Sequence, residues 1–182
     1  MPTSAKLSPP LLVALGLAAV LVVGVAVAGI VLGRPTATPA AAPAPPDNGP
    51  VLLVPVSAPQ AGSAACAALT HALPAALIDG GKPLRRRPLV APAPLAAIAW
   101  GAGDPVVLRC GIERPPELKS TSELLAVNGV QWFQVTEGGD ATWYAVDRAA
   151  VVALTLPNGV NTGPIQDVSA AITAAMPAVP VF

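Results

Sequence analysis

The stretch VQWFQVTEGGDATWYAVDRAAVVALTL, residues 130–156, carries the pattern that decides the fold. Runs at 130–136, 142–147 and 151–156 are rich in β-branched and aromatic residues and are separated by turn formers, the signature of strands. Gly138-Gly139, between Glu137 and Asp140, suits a two-residue hairpin turn, whose central positions take positive φ. That turn pairs Thr136 with Ala141, so Phe133 and Val135 share a face with Tyr144 and Val146. A three-residue loop at 148–150 adds Val152, Leu154 and Leu156 and completes an apolar core surface. The same register places Trp132 and Trp143 on the opposite face, beside Gln134, Ala145 and Thr155. There the two indoles either form a recognition surface for sugars or a partner, or lie under a helix as a second core.

Outward from this block, Asn158-Gly159 ends the sheet and 168–176 reads as a closing helix bounded by Pro177. Upstream, 121–127 suits a short helix before the Asn128-Gly129 turn, and 106–110 reads as a strand entered through Gly103-Asp104-Pro105. Residues 82–94 are rich in Pro and Arg and read as a loop behind Gly80-Gly81. Cys66, Leu69, Leu73 and Leu77 are spaced 3, 4 and 4, one face of a helix that Pro74 kinks or ends. The apolar run VLLVPV at 51–56 suits an edge strand, since Pro55 cannot donate to a ladder. Strands and helices in this order, without βαβ alternation, predict an α+β domain over 51–182 with a largely antiparallel sheet.

Residues 11–32 contain no charge, no Pro and no polar side chain, and 19 of these 22 residues are Ala, Val, Ile or Leu. As a helix at ~1.5 Å per residue they span roughly 33 Å, enough to cross a bilayer. The expected arrangement is a cytoplasmic tail at 1–10, an uncleaved signal-anchor at 11–32 and a linker at 33–50. The alternative is a signal peptide cleaved at Ala26-Val27-Ala28, for which the apolar run is long. Six prolines between Pro35 and Pro50 favour an extended stalk of up to roughly 50 Å. Gly29 and Gly33 form a small-xxx-small pair that would serve a homodimer, although such pairs are common in any Gly- and Ala-rich span.

Ala99-Trp100-Gly101, Asp104-Pro105-Val106-Val107-Leu108-Arg109-Cys110-Gly111 with Pro115, and Val127-Asn128-Gly129-Val130 with Trp132 carry a resemblance. Together with the 66–77 and 148–157 segments they resemble the actinobacterial membrane-anchored family catalogued as domain of unknown function 3515. The resemblance covers roughly residues 51–157. It implies a signal-anchor with the domain outside the cytoplasm of an actinobacterial-type cell, and it implies no activity.

The chain has ten basic and ten acidic residues in 182, a formal charge of zero and only 11% charged residues, against a usual ~25%. No excess of Lys and Arg is available to capture nucleic acid by counterion release. Cys66 and Cys110 allow one disulfide, which persists outside the cytoplasm, or else two buried thiols; no CxxC spacing marks a redox pair. His71 is the sole histidine and lies off the apolar helix face, so neither a Cys-His dyad nor a zinc site is expected. No serine-hydrolase, penicillin-binding or P-loop motif occurs. Asp104, Glu113, Glu117 and Glu123 are the acids open to a carboxylate mechanism, with solvated loop acids as the alternative. Arg85, Arg86 and Arg87 form a basic cluster suited to an anionic polymer or to plain solvation. Arg109, in an apolar strand, needs carboxylate or carbonyl partners if buried.

These readings converge on a single-pass, membrane-anchored, extracytoplasmic protein that uses no cofactor and binds an envelope protein or wall polymer without catalysis. Arg85, Arg86, Arg87, Arg109, Trp132 and Trp143 are the candidate binding residues. The alternatives are an envelope hydrolase using carboxylates with Arg109, and a structural tether or dimer.

Overall fold

The computed structural model describes residues 48–182. Helix α1 (Ala64–Ala72) starts where the Ser63 hydroxyl accepts a hydrogen bond from Cys66 N at 3.2 Å, satisfying one of the donors a helix start leaves open. Pro74 ends it. The spacing that continues the helical face to Leu77 is broken there: Leu77 reaches the same core from strand β1 (Ala76–Asp79), fully buried.

Gly80 and Gly81, both at positive φ, turn β1 into β2 (Lys82–Arg87). Residues 82–87 are therefore a strand and not the loop their Pro and Arg content suggests, because the Gly-Gly turn matches the twist of a hairpin. Strands β3 (Ala97–Trp100) and β4 (Val106–Ile112) complete a four-stranded meander. The segment at 121–127 ends in strand β5 (Leu125–Val127), not a helix. Asn128 and Gly129, both at positive φ, fold it as a hairpin onto β6 (Val130–Glu137). Strands β7 (Asp140–Ala145) and β8 (Val151–Leu156) follow, and helix α2 (Gly163–Ala175) closes the fold, starting five residues earlier than 168 with Pro164 in its first turn. The eight strands form one antiparallel sheet in the order β1-β2-β3-β4-β8-β7-β6-β5, so two meanders meet along β4 and β8. The fold is α+β.

The 51–56 run makes no strand. Only Val51 pairs, in a single parallel bridge with Leu89, while Leu52, Val54 and Val56 are exposed; Pro50 and Pro55 remove donors from the segment.

The predicted β6–β7 register is correct, with Thr136 opposite Ala141. At the next turn Ala145 pairs with Val152, so the connection is the five residues 146–150 rather than 148–150. This moves β8 by one residue relative to the expectation, and a one-residue slip exchanges the faces of a strand. Val152, Leu154 and Leu156 therefore join Trp132, Trp143 and Ala145, and this face is the core, beneath α1 and α2. The extended connection is stable because it is a buried corner. Arg148, only 4% exposed, pairs with Asp147 at 2.7 Å and donates to Gly129 O at 2.9 Å, which compensates the desolvated charge. Trp132 Nε1 donates to Ser169 Oγ of α2 at 2.9 Å, and Trp100 Nε1 donates to Pro74 O at 3.2 Å.

Cys66 of α1 and Cys110 of β4 are disulfide-bonded and fully buried. Among the described residues no helix is long and apolar enough to cross a membrane. The tail, the 11–32 run with Gly29 and Gly33, and most of the linker lie outside the described residues. The disulfide closes a separation of 44 residues, which the chain-entropy argument values at about 4 kcal/mol. A Cys66→Ala/Cys110→Ala chain should lose roughly that much in urea unfolding, with a steeper slope against denaturant because the uncrosslinked unfolded chain is more expanded.

Candidate functional site

The sheet face away from the helices carries the candidate site. Backbone pairing sets two rows of side chains across it. Arg109, Ala153, Tyr144 and Phe133 lie in one row, and Val107, Thr155, Thr142 and Val135 in the next. Small Ala153 stands between Arg109 and Tyr144 and leaves a notch between two large side chains. Strand neighbours are ~4.8 Å apart, so the Arg109 and Tyr144 backbones lie roughly 10 Å apart.

Two irregular segments wall this floor. The first is a strap over 54–60 that crosses β4. Val54 O accepts from Arg109 Nη2 at 3.1 Å, the Ser57 hydroxyl donates to Glu113 Oε1 at 2.7 Å, and Gln60 N donates to Gly111 O at 3.0 Å. Gly111 is required beneath the strap: its φ is +82° and a Cβ there would overlap the backbone of Gln60 and Ala61. The β4–β8 register shifts at this residue, and the bulge turns Ile112 toward the outer face behind Arg109. The second wall is the loop after β4, held by buried Pro115 and Leu118. Arg114 in that loop donates to Val181 O at 2.6 Å and Val146 O at 3.4 Å, with its guanidinium 5.9 Å from the Phe182 ring centroid. Floor and walls enclose a cleft of about 420 Å³, within the range of small-ligand sites.

The chemistry of the cleft is mixed. Arg109 gives one nitrogen to Val54, whereas its Nη1 is buried without a hydrogen-bond partner. Burial lowers its pKa, and a guanidinium so placed still carries its charge. Thr142 and Thr155 share a hydrogen bond at 3.1 Å. Burial first, then the charges of Glu117 and Glu137, raise the Tyr144 phenol above its ordinary value of 10.0. At neutral pH it is therefore a hydroxyl able to donate. Glu113 and Glu117 stand exposed at the rim.

Of the residues singled out from sequence, Arg109, Glu113 and Glu117 come together here. Trp132 and Trp143 do not form a surface: they are 0% and 7% exposed and lie under α2, as the covered-core alternative has it. The Arg85, Arg86 and Arg87 cluster is divided by its strand. Arg86 donates to Leu73 O at 2.7 Å and Pro74 O at 3.1 Å behind α1 and lies 5.8 Å over the Trp100 ring. Arg87 binds Gly49, Gly101 and Gly103 carbonyls, and Arg85 is exposed. His71 is exposed, and Asp104 and Glu123 lie outside the cleft. Among the described residues no three His, Cys, Asp or Glu side chains gather to hold a metal ion. Sequence reading missed Tyr144, Thr142, Thr155 and Ser57. The first three follow from strand alternation once the β7–β8 register is known, whereas Ser57 reaches the cleft only through the strap.

A family model described as protein of unknown function (DUF3515) matches residues 15–181. The chain belongs to this family. No curated protein and no solved structure matches it.

Tyr144 is the chain's single tyrosine, so its ionisation can be followed by tyrosinate absorbance. The midpoint should lie above 10.0 and fall when Glu117→Gln removes the neighbouring charge. Because the unfolded phenol loses its proton first, stability should be undiminished below that pH and decline as pH rises from it through the folded value.

Proposed function

We propose that this member of the family is held to a membrane by residues 11–32, with its α+β domain outside the cytoplasm, and acts without catalysis by binding an envelope protein or wall component. The observation that carries the binding role is the outer-face cleft, where Arg109, Tyr144 and Glu117 present charge and hydrogen-bonding capacity that the fold leaves largely uncommitted. The buried Cys66–Cys110 disulfide supports an oxidising compartment, and the uncharged span with its Pro-rich stalk supports an anchor that holds the domain clear of the bilayer.

Binding fits the cleft better than catalysis does. A carboxylic acid acting as general acid is set in an apolar, water-poor pocket that keeps it protonated, whereas Glu113 and Glu117 are exposed at an open rim. One observation favours a second reading, a carboxylate-dependent hydrolase: the two glutamates share the cleft with Arg109.

Anchoring and compartment are tested by intact mass of the protein taken from its membrane under thiol-blocking conditions. An uncleaved chain that accepts two blocking groups only after reduction is the expected result. A chain beginning near Gly29 would instead mean secretion, and labelling without reduction would move the domain to a reducing compartment. The mode of action is tested by incubating the full chain in detergent with insoluble wall material. Retention on the wall without release of soluble fragments is expected. Fragment release that Glu113→Gln or Glu117→Gln lowers by about 100-fold or more would establish the hydrolase.

A further inference from the structure

The cleft is polarised along the strand-crossing direction. Arg109 on β4 stands at one end, half-exposed and lining the cleft, with its guanidinium Nη2 on Val54 O and the buried Nη1 unpartnered. Tyr144 on β7 stands at the other, and Glu117 lines the same cleft; burial first, then the charges of Glu117 and Glu137, raise the phenol's pKa. The remaining charges are already used within the protein: Glu113 accepts the Ser57 hydroxyl, and Arg114 serves the carbonyls of Val181 and Val146. With Arg109 and Arg114 against Glu113 and Glu117, the lining is charge-balanced, so a simple anion or a simple cation gains little from it. A ligand carrying both signs at matching separation is favoured at both ends.

The spacing narrows the ligand further. The backbones that carry Arg109 and Tyr144 are roughly 10 Å apart, two strand separations, and an extended chain laid across them advances ~3.3 to 3.6 Å per residue. A free peptide of two to three residues therefore places its carboxylate and its ammonium about that far apart. Small apolar surfaces of the lining, Ala153 on the floor between the ends and Val56 and Ile112 elsewhere in the cleft, suit short side chains. The Thr142 and Thr155 hydroxyls and the Tyr144 phenol can serve the peptide's amides.

We propose that the cleft binds a short zwitterionic peptide of small residues, its carboxylate on Arg109 and its ammonium on Glu117 beside Tyr144. This rests on the reading of the domain as a binding module and names its ligand class. Charge-assisted hydrogen bonds of ~1.5 to 3 kcal/mol at each end correspond to a loss of about tenfold or more in affinity when either charge is removed.

The test uses the full chain in detergent micelles with ring-labelled tyrosine, so that Tyr144 gives one NMR signal from inside the site. Trialanine should move that signal saturably. N-acetyl-trialanine and trialanine amide, each lacking one charge, should bind about tenfold more weakly, and the doubly capped peptide more weakly still. Glu117→Gln should weaken the peptides that have a free amine while leaving N-acetyl-trialanine unchanged. Arg109→Gln should do the converse with the amide. Arg109 also holds Val54, so the capped peptides and the exposed Glu117 variant decide the matter if the Arg109 variant does not fold. Equal binding of capped and uncapped peptides would overturn the proposal, as would a silent Tyr144 signal with trialanine. An uncharged N-acetylglucosamine trisaccharide is titrated in parallel. A saturable shift with the sugar and none with the peptide would overturn the ligand class while keeping the cleft as a binding site. Silence with both would overturn the cleft as well.

Discussion

The pairing of β4 with β8 is the constraint on which the domain depends, because it joins two four-stranded meanders into one sheet. Three consecutive residues of β4 serve three directions at that seam. Cys110 points inward and ties the strand to α1. Arg109 points outward and forms one end of the cleft. Gly111 has no side chain, bulges the strand and lets the 54–60 strap lie directly on its backbone. Alternation of a strand's side chains makes the first two compatible; the bulge adds the third. The interior staple and the outer-face site thus rest on the same piece of backbone, so the position of Arg109 is fixed by packing beneath it.

The arginines explain how a nearly uncharged chain holds its irregular parts. Arg86, Arg87, Arg109, Arg114 and Arg148 all donate to main-chain carbonyls. The planar guanidinium offers several donors in fixed directions, so one side chain can satisfy carbonyls from separate turns and loops. Arg148 anchors the β7–β8 corner, Arg86 gathers the carbonyls at the end of α1, and Arg114 fixes the loop that walls the cleft. Two of the three arginines of the basic cluster, Arg86 and Arg87, are here loop fasteners. Arg109 and Arg148 each keep a buried nitrogen without a hydrogen-bond partner, but only Arg109 lines the cleft, which is what separates a candidate ligand contact from a structural one.

Legibility in the sequence followed the range of the physics involved. Glycine turns are local, and Gly138-Gly139 correctly set the β6–β7 register to the residue. Asn128-Gly129 also marks a real turn, yet the segment before it is a strand because its partner β6 lies across that turn. Lys82–Arg87 reads as a loop because its pairing partners, β1 and β3, supply the ladder that its composition does not advertise. The tryptophans read as a possible surface for a single reason, a connection taken as three residues that is five. Of the site, Arg109 was visible as a charge in an apolar strand, and Glu113 and Glu117 as nearby acids. Tyr144 was hidden by the same slip that exposed the indoles.

What the sequence determined by itself was the α+β class, the hairpin turns, the two cysteines available for a bridge and a domain with no excess charge. Each follows from local propensity, from periodicity or from counting. What only the tertiary structure decided was which sheet face is the core and which carries the cleft. That choice depends on the buried Asp147–Arg148 corner, whose partners at Gly129 and Ala178 are distant in the chain. Because strand side chains alternate with a period of two, a single residue absorbed in that corner reverses the faces of β8 relative to β7, and no local pattern reports it.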